Sequence, residues 1–299
     1  MSQPDFKLAD AKIAIVGLGL MGGSLAMGLR GKCAALFGVD PDPDALARAR
    51  SLAIVQHASS DPASLVPEAD LVILAAPVDG ILSLLDRLPA LTSKACIVLD
   101  LGSTKRLIIE AMSRLPDRFD PLGGHPLCGK EKLSLVNAEA GLYRDAVFFL
   151  SPLPRTSPRA LSAARRVIEA VGAQPVVVDA SEHDRMLAFT SHLPFLISSA
   201  LALTAPQASS SFIGAGFRST SRLAGTSASM MASVLETNRR HVLAALADFQ
   251  SRMARLQAAL ASNEREPLRV FLEESRERYS ALTANTETIR RDTIPSRQT

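Results

Sequence analysis

Fifteen residues near the start of the chain, Lys12-Ile-Ala-Ile-Val-Gly-Leu-Gly-Leu-Met-Gly-Gly-Ser-Leu-Ala26, limit its fold more than any other stretch. The apolar run from Ile13 to Val16 is a short buried strand. Gly17, Gly19 and Gly22 follow in G-x-G-x-x-G spacing, and Ser24 to Leu29 continues as a helix. In such a turn the first glycine permits the tight reversal. The second lets the backbone approach a pyrophosphate, and the third lets helix and strand pack closely. The helix N-terminus offers backbone N–H groups and a partial positive charge to the same anion, and Leu20 and Met21 of the turn join the three glycines as cofactor-binding candidates. A second strand, Phe37 to Asp40, ends in a carboxylate 18 residues beyond Gly22, where it can take the adenosine ribose hydroxyls. The competing reading is a glycine-rich turn in some other α/β domain. The strand before, the helix after and the acid at Asp40 favour a dinucleotide. A carboxylate repels a 2′-phosphate and no Arg follows it directly, so the expected cofactor is NAD, not NADP.

The chain beyond repeats this alternation. Pro41 to Ser51 is helical. Asp70 to Pro77 is a continuous apolar run ending at Ala76-Pro77, as in a parallel strand covered on both faces. Val78 to Leu88 returns as a helix, Ala95 to Asp100 is another buried strand, and Ser103-Thr104 opens a helix over Lys105 to Arg114. A strand at Ala146–Leu150, a helix at Pro158–Val171 and a strand at Pro175–Asp179 complete the first domain. The expected fold is an α/β Rossmann-type, doubly wound parallel sheet. Ligands then bind outside the carboxyl ends of the strands, which brings the loops after Val16, Asp40, Ala76 and Asp100 together. From Ser181 strand signals stop. Long helical patterns run over Ser181–Thr204, Ser227–Ala261 and Val270–Leu282, and the polar tail from Thr288 is expected to fray. The expected domains are 1–180, nucleotide-binding, and 181–299, helical.

Composition excludes several classes. Lys and Arg (33) nearly balance Asp and Glu (30), and there is no Trp and only two Tyr. Nucleic acid therefore has neither a basic stripe nor aromatic platforms to bind. Cys33, Cys96 and Cys128 are far apart and lack metal-ligand spacing, so no metal is expected; they read as reduced thiols of a cytoplasmic protein. No uninterrupted apolar stretch of membrane-spanning length stands out. The segment 181–204, apolar almost all round from Leu187, is expected to be buried in a core or against a second copy, which points to a homodimer.

Four constellations carry polar chemistry. In Asp100-Leu-Gly-Ser-Thr-Lys105, Ser103 is either a helix N-cap or a hydroxyl facing a substrate. In Gly123-Gly-His-Pro-Leu-Cys-Gly-Lys-Glu131, His125 lies on a glycine-flanked loop; a neutral imidazole there suits removal of a hydroxyl proton. In Thr190-Ser-His-Leu-Pro-Phe195, Pro194 cannot donate to the Thr190 carbonyl and should kink the helix. Asp184, Ser191 and Phe195 share a stripe with His192 beside it, as a helix contact or a site wall. In Gly214-Ala-Gly-Phe-Arg-Ser-Thr-Ser-Arg222, Arg218 and Arg222 are solvated or grip carboxylates.

In this order these stretches resemble the prephenate/arogenate dehydrogenase family over about Lys12 to Leu246. The shared features are the fingerprint, the Ala-Ala-Pro strand end, Asp-x-x-Ser-x-Lys, Gly-His-Pro, Ser-His-Leu-Pro and Gly-Phe-Arg-x-Thr-x-Arg. The resemblance implies a nucleotide-binding domain joined to an all-α dimerisation domain. It further implies NAD-dependent oxidative decarboxylation of prephenate to 4-hydroxyphenylpyruvate on the way to tyrosine. His125 then corresponds to the catalytic histidine, Ser103 to the serine that helps hold the substrate hydroxyl, and Arg222 to the arginine that binds a substrate carboxylate. Glu131 corresponds to an acid near the site entrance, and Ser191 and His192 to pocket-lining helix positions.

Two departures bear on the substrate. Phe195 stands where many prephenate-specific members carry a second His. Lys130 replaces a small polar residue and adds a possible carboxylate partner. Prephenate, arogenate and an amino-substituted analogue therefore remain alternatives. A fused chorismate mutase or regulatory domain is not expected. A β-hydroxyacid dehydrogenase shares the Gly-Leu-Gly-x-Met-Gly start, but its catalytic Lys and Asn have no counterpart in Ser181–Thr190. A non-catalytic NAD-binding regulator would need the fingerprint without His125, Ser103 and Arg222 together.

Overall fold

The computed structural model describes residues 6–130 and 134–292, the last eight as backbone only. The first part of the chain alternates strand and helix: β1 (Lys12–Val16), α1 (Leu20–Leu29), β2 (Ala35–Val39), α2 (Pro43–Ser51), β3 (His57–Ser59), β4 (Leu71–Leu74), α3 (Val78–Leu91), β5 (Cys96–Asp100), α4 (Arg106–Ser113), β6 (Phe119–Pro126), β7 (Val147–Pro152), α5 (Pro158–Ala170) and β8 (Gln174–Val177). These strands form one sheet of order β3-β2-β1-β4-β5-β6-β7-β8. All neighbours are parallel except β6 and β7.

Side-chain alternation along β1 explains why the sheet is covered twice. Ile13 and Ile15 face one apolar layer with Leu25 and Leu29 of α1 and Val167 and Ile168 of α5. Ala14 and Val16 face the other, with Ile81, Leu85 and Leu88 of α3 and Ile108 and Met112 of α4. The completely buried run Leu71–Leu74 in β4 is the sequence consequence of that sandwich.

Two strands are absent from the sequence reading. β3 is three residues at the sheet edge, too short for a pattern to show. β6 contains two Pro and two Gly, the composition of a loop, yet it pairs on both sides. His125 therefore lies in a strand opposite Phe149, not on an open loop.

The helical part follows as α6 (Ala180–Leu187), a π-helical turn (Ala188–His192), α7 (Leu193–Thr204), α8 (Ala215–Ser221), α9 (Ala228–Thr237), α10 (Arg239–Ala261) and α11 (Arg265–Asp292). The π turn is where Pro194 makes itself felt: the N–H of Leu193 bonds to the carbonyl of Ala188, widening the helix by one residue. The stretch read as one helix from Ser227 is broken at Asn238, whose backbone leaves helical geometry (φ −114°, ψ 20°). The Arg-bearing stretch read as a loop is helical in α8 and continues as a 3-10 turn over Arg222–Gly225. α11 runs through Thr288 to Asp292, past the expected start of fraying; residues 293–299 lie outside those described.

Residues 180–204 form one continuous helix that by length and composition could cross a membrane, against the sequence reading that no such stretch stands out. Its charged residues cluster at the start, Glu182 to Arg185, and the stretch from Met186 to Thr204 carries none. Only 22% of its most apolar window is buried within the chain, so of the two alternatives, a core or a second copy, the core is not the one found and its apolar faces are left largely open. The chain forms two compact units, residues 1–242 and 243–299. In the second, Arg255 of α10 pairs with Glu274 of α11 at 2.7 Å and lies over the Phe271 ring.

Candidate active site

The glycine turn between β1 and α1 has the shape a pyrophosphate requires. Gly17 has φ +103°, and a Cβ there would sit 2.5 Å from the Ala75 carbonyl oxygen. A Cβ at Gly22 would sit 1.8 Å from the Gly17 carbonyl oxygen, so α1 packs on the turn only because neither position has a side chain. Gly19 is the N-cap of α1 and supplies no side-chain cap to the N–H groups at Leu20 and Met21. Asp40, just past β2, accepts from the N–H groups of Leu18 (2.6 Å) and Asp42 (2.9 Å), so its carboxylate is fixed against this turn. Ala76 and Pro77 follow β4, next to β1 in the sheet, and Pro77 precedes α3. These residues fit a dinucleotide.

The second group gathers at the carboxyl ends of β5 and β6. Asp100 ends β5 fully buried, accepting from the backbone N–H groups of Gly102 (2.7 Å) and Gly124 (3.0 Å). Lys105 is also fully buried. Its ammonium bonds to the Asp100 carboxylate and, at 2.7 Å, to the Gly124 carbonyl. Burial pushes the Asp100 pKa up and the Lys105 pKa down, each opposed by the partner's charge. The pair thus clamps the strand carrying His125 to the end of β5.

His125 is half-buried, and its Nδ1 lies 2.9 Å from Nε2 of His183 on α6. The rings meet edge to face at 5.0 Å, with Phe149 of β7 edge-on to His183 at 5.6 Å. Nδ1 of His183 lies 2.9 Å from Oδ1 of Asp184. Burial holds the His125 pKa well below the ordinary imidazole value, and the charges of His183, Lys105 and His192 act the same way. His125 is therefore a neutral base at pH 7.

Ser103 is not the N-cap of α4. That helix starts at Arg106, and its first donors are taken by Asp184: Lys105 N–H to Oδ1 (2.7 Å) and Arg106 N–H to Oδ2 (2.9 Å). Among the described residues no hydrogen bond engages the half-buried Ser103 hydroxyl, in the loop after β5. The reading that explained Ser103 away as a cap is thus removed, because a carboxylate from another helix does that work. Sequence reasoning missed His183. Its only signal was a His-Asp dipeptide just inside a helix start capped by Asp179.

The remaining predicted residues are spread more widely. His192 is buried, and Asn238 Nδ2 donates both to its Nδ1 (3.2 Å) and to the Asp184 carbonyl (2.7 Å). Burial lowers the His192 pKa to about 4, against the opposing pull of Asp184. Ser191 is exposed. Arg218 and Arg222 are exposed on the segment that packs against α7, where Ala224 N–H bonds to Ser198. Lys130 pairs with Glu139 at 2.7 Å and donates to the Asn137 carbonyl. Glu131 lies outside the described residues. Phe195 and Met230 are half-buried against the apolar layer of α3 and α4. Among the described residues no group of three or more His, Cys, Asp or Glu side chains is placed to hold a metal ion.

A nucleotide-binding-domain model of prephenate dehydrogenase matches residues 25–177, and a dimerization-domain model of the same enzyme matches residues 179–274. The chain belongs to the prephenate dehydrogenase family. The nucleotide-binding match begins beyond Gly22 and so does not include the glycine turn.

Several relatives of this family match most of the chain. Prephenate dehydrogenase of Bacillus subtilis is 28% identical over 77% of this chain; the match spans 65% of that protein, just under two thirds of its length. Cyclohexadienyl dehydrogenase of Zymomonas mobilis is 28% identical over 90% of this chain and 95% of its own. The crystal structure of Aquifex aeolicus prephenate dehydrogenase, in complex with hydroxyphenyl propionate and NAD+, superposes with a TM-score of 0.84. It is 28% identical and covers 93% of this chain and all of that one.

Proposed function

We propose that this protein is an NAD-dependent dehydrogenase that oxidatively decarboxylates prephenate to 4-hydroxyphenylpyruvate. The observation that supports the reading is a neutral, half-buried His125 near the carboxyl end of β6 and a Ser103 hydroxyl without a hydrogen-bond partner in the loop after β5, on a sheet whose first turn is fit for a dinucleotide. Gly17, Gly19, Leu20, Met21, Gly22, Asp40, Ala76 and Pro77 would hold NAD, and the Asp40 carboxylate would reject a 2′-phosphate. Bound NAD supplies a hydride acceptor.

The chain's own residues do the rest. Ser103 and His125 would hold the ring hydroxyl, and His125 would take its proton as the hydride leaves the same carbon. The ring carboxylate departs as carbon dioxide, its bonding electrons complete the aromatic ring, and the resulting phenolate takes the proton back from His125. Aromatisation drives the reaction, so the protein mainly orients the reacting carbon and moves one proton. Arg222, Arg218, Lys130, Ser191, His192 and Glu131 are proposed for the substrate's carboxylates and side chain. Phe195 offers no donor to that side chain, which keeps arogenate as a competing substrate.

The reading divides the chain at 180/181, the nucleotide half before and the helical half after. It makes the molecule a homodimer in which a second copy covers the open faces of the 180–204 helix. The free thiols of Cys33, Cys96 and Cys128 suit a cytoplasmic location. NADH formation measured with NAD and, separately, prephenate and arogenate tests the proposal. No NADH from either substrate would overturn it.

A further inference from the structure

We infer that His183 is a positioning residue that decides which ring nitrogen of His125 carries the proton and which faces the reaction. Its value to turnover rests on the dehydrogenase reading; its geometry does not.

The chain of donors starts at Asp184. Burial would raise its pKa, but bonds from His183 and from the backbone N–H groups of Arg106 and Lys105 hold it below the ordinary aspartate value. An ionised carboxylate accepts and cannot donate. With Oδ1 of Asp184 at 2.9 Å, Nδ1 of His183 must therefore carry a proton. In a neutral imidazole that leaves Nε2 of His183 as a lone pair. Nε2 lies 2.9 Å from Nδ1 of His125, and two lone pairs do not face each other at that distance. The proton of neutral His125 is thus on Nδ1, and its Nε2 is bare.

A bare Nε2 is what a hydroxyl proton needs. When it is transferred, the O–H bond breaks and an N–H bond forms at Nε2, while Nδ1–H stays bonded to His183. The opposite tautomer would present a donor to the hydroxyl and could accept nothing. His183 is 2% exposed, and its ring is wedged by Phe149, so the order is built in rather than left to solvent. Asp184 cannot turn away, because its two oxygens also hold the start of α4.

Nitrogen-15 NMR of histidine-labelled full-length protein, at mildly alkaline pH, reads the ring protons directly. The expected wild-type result is a protonated Nδ1 and bare Nε2 on both His125 and His183; a proton on Nε2 of His125 would overturn the inference, whatever the variants do. His183→Gln keeps an acceptor for His125 and should preserve both the tautomer and most of the turnover. His183→Leu removes the acceptor, so His125 should become a mixture of tautomers. Turnover should then fall by about 10²- to 10⁴-fold, the scale of a wrong histidine tautomer or a lost general base, with both KM values unchanged. Equal losses in Gln and Leu would mean that His183 only fills space. A wild type that forms no NADH would count against the dehydrogenase reading instead, and the ring nitrogens alone would then decide the inference.

Discussion

The carboxylate of Asp184 caps a helix to which it does not belong: its Oδ1 accepts from the backbone N–H of Lys105, 79 residues earlier in the chain, at 2.7 Å. Through the same two oxygens it holds Arg106 N–H and the ring of His183. One buried side chain thus joins the sheet's carboxyl edge, the helical part and the imidazole pair.

Asp184→Ala should therefore cost more than an ordinary cap. Losing a cap costs about 1 kcal/mol, and stranding further buried donors adds about 1–3 kcal/mol. A urea titration should show the midpoint falling by the equivalent of roughly 2–4 kcal/mol. A loss below about 1 kcal/mol would mean that α4 finds another cap.

Acid should weaken the fold before it reaches the carboxylates. His125 and His192 have folded-state pKa values below the unfolded value near 6.5, so the unfolded chain takes up protons first. Their contribution is intact above that value and is lost as pH falls. For His192, with its pKa lowered to about 4, the loss runs from about 6.5 to 4 and amounts to roughly 3 kcal/mol. Asp184 adds its own loss at lower pH still, since its folded-state pKa lies below 3.8. Thermal melts across this range should show Tm falling below pH about 6.5, and a flat Tm down to about 4.5 would contradict the burial of these rings.

Gly17→Ala puts a Cβ 2.5 Å from a backbone oxygen at φ +103°. Strain of this kind costs about 1–3 kcal/mol, and relieving it moves the turn. Titration of NADH fluorescence should show affinity reduced at least about tenfold, the equivalent of about 1.4 kcal/mol. Unchanged affinity would remove this turn from the cofactor site.

His125→Asn should lower turnover by about 10²- to 10⁴-fold, the usual worth of general base catalysis, and leave NAD affinity unchanged. Stopped-flow and equilibrium binding separate the two. A variant with full turnover would take His125 out of the proton transfer.

Leu203, at the end of α7, is 89% exposed in the single chain, and Phe212 is 85% exposed. Large apolar side chains left this open fit a surface covered by a second copy. Light scattering should report a dimer, and Leu203→Asp should shift it toward monomer. A wild type that stays monomeric at micromolar concentration would contradict the proposed dimer.

Local order was enough to read the strands of the sheet other than β3 and β6. Buried parallel strands must be apolar throughout, as at Ile13–Val16 and Leu71–Leu74, and a glycine turn between strand and helix can do little else. The helical texture beyond residue 180 was legible for the same reason, as was the resemblance that singled out His125, Ser103 and Arg222. Where pairing partners lie far off in sequence, composition misled. β6 looks like a loop because its Pro and Gly residues are tolerated only through contacts with β5 and β7, and the break at Asn238 follows from bonds to Asp184 and His192. The tautomer order of His125 belongs wholly to the tertiary structure. It depends on His183, 58 residues away, and on a carboxylate that, against the effect of burial, His183 and backbone donors at the start of another helix hold below its ordinary pKa. Hydrophobic periodicity is a property of neighbours along the chain, whereas the direction of a hydrogen bond is fixed only when folding brings donor and acceptor together.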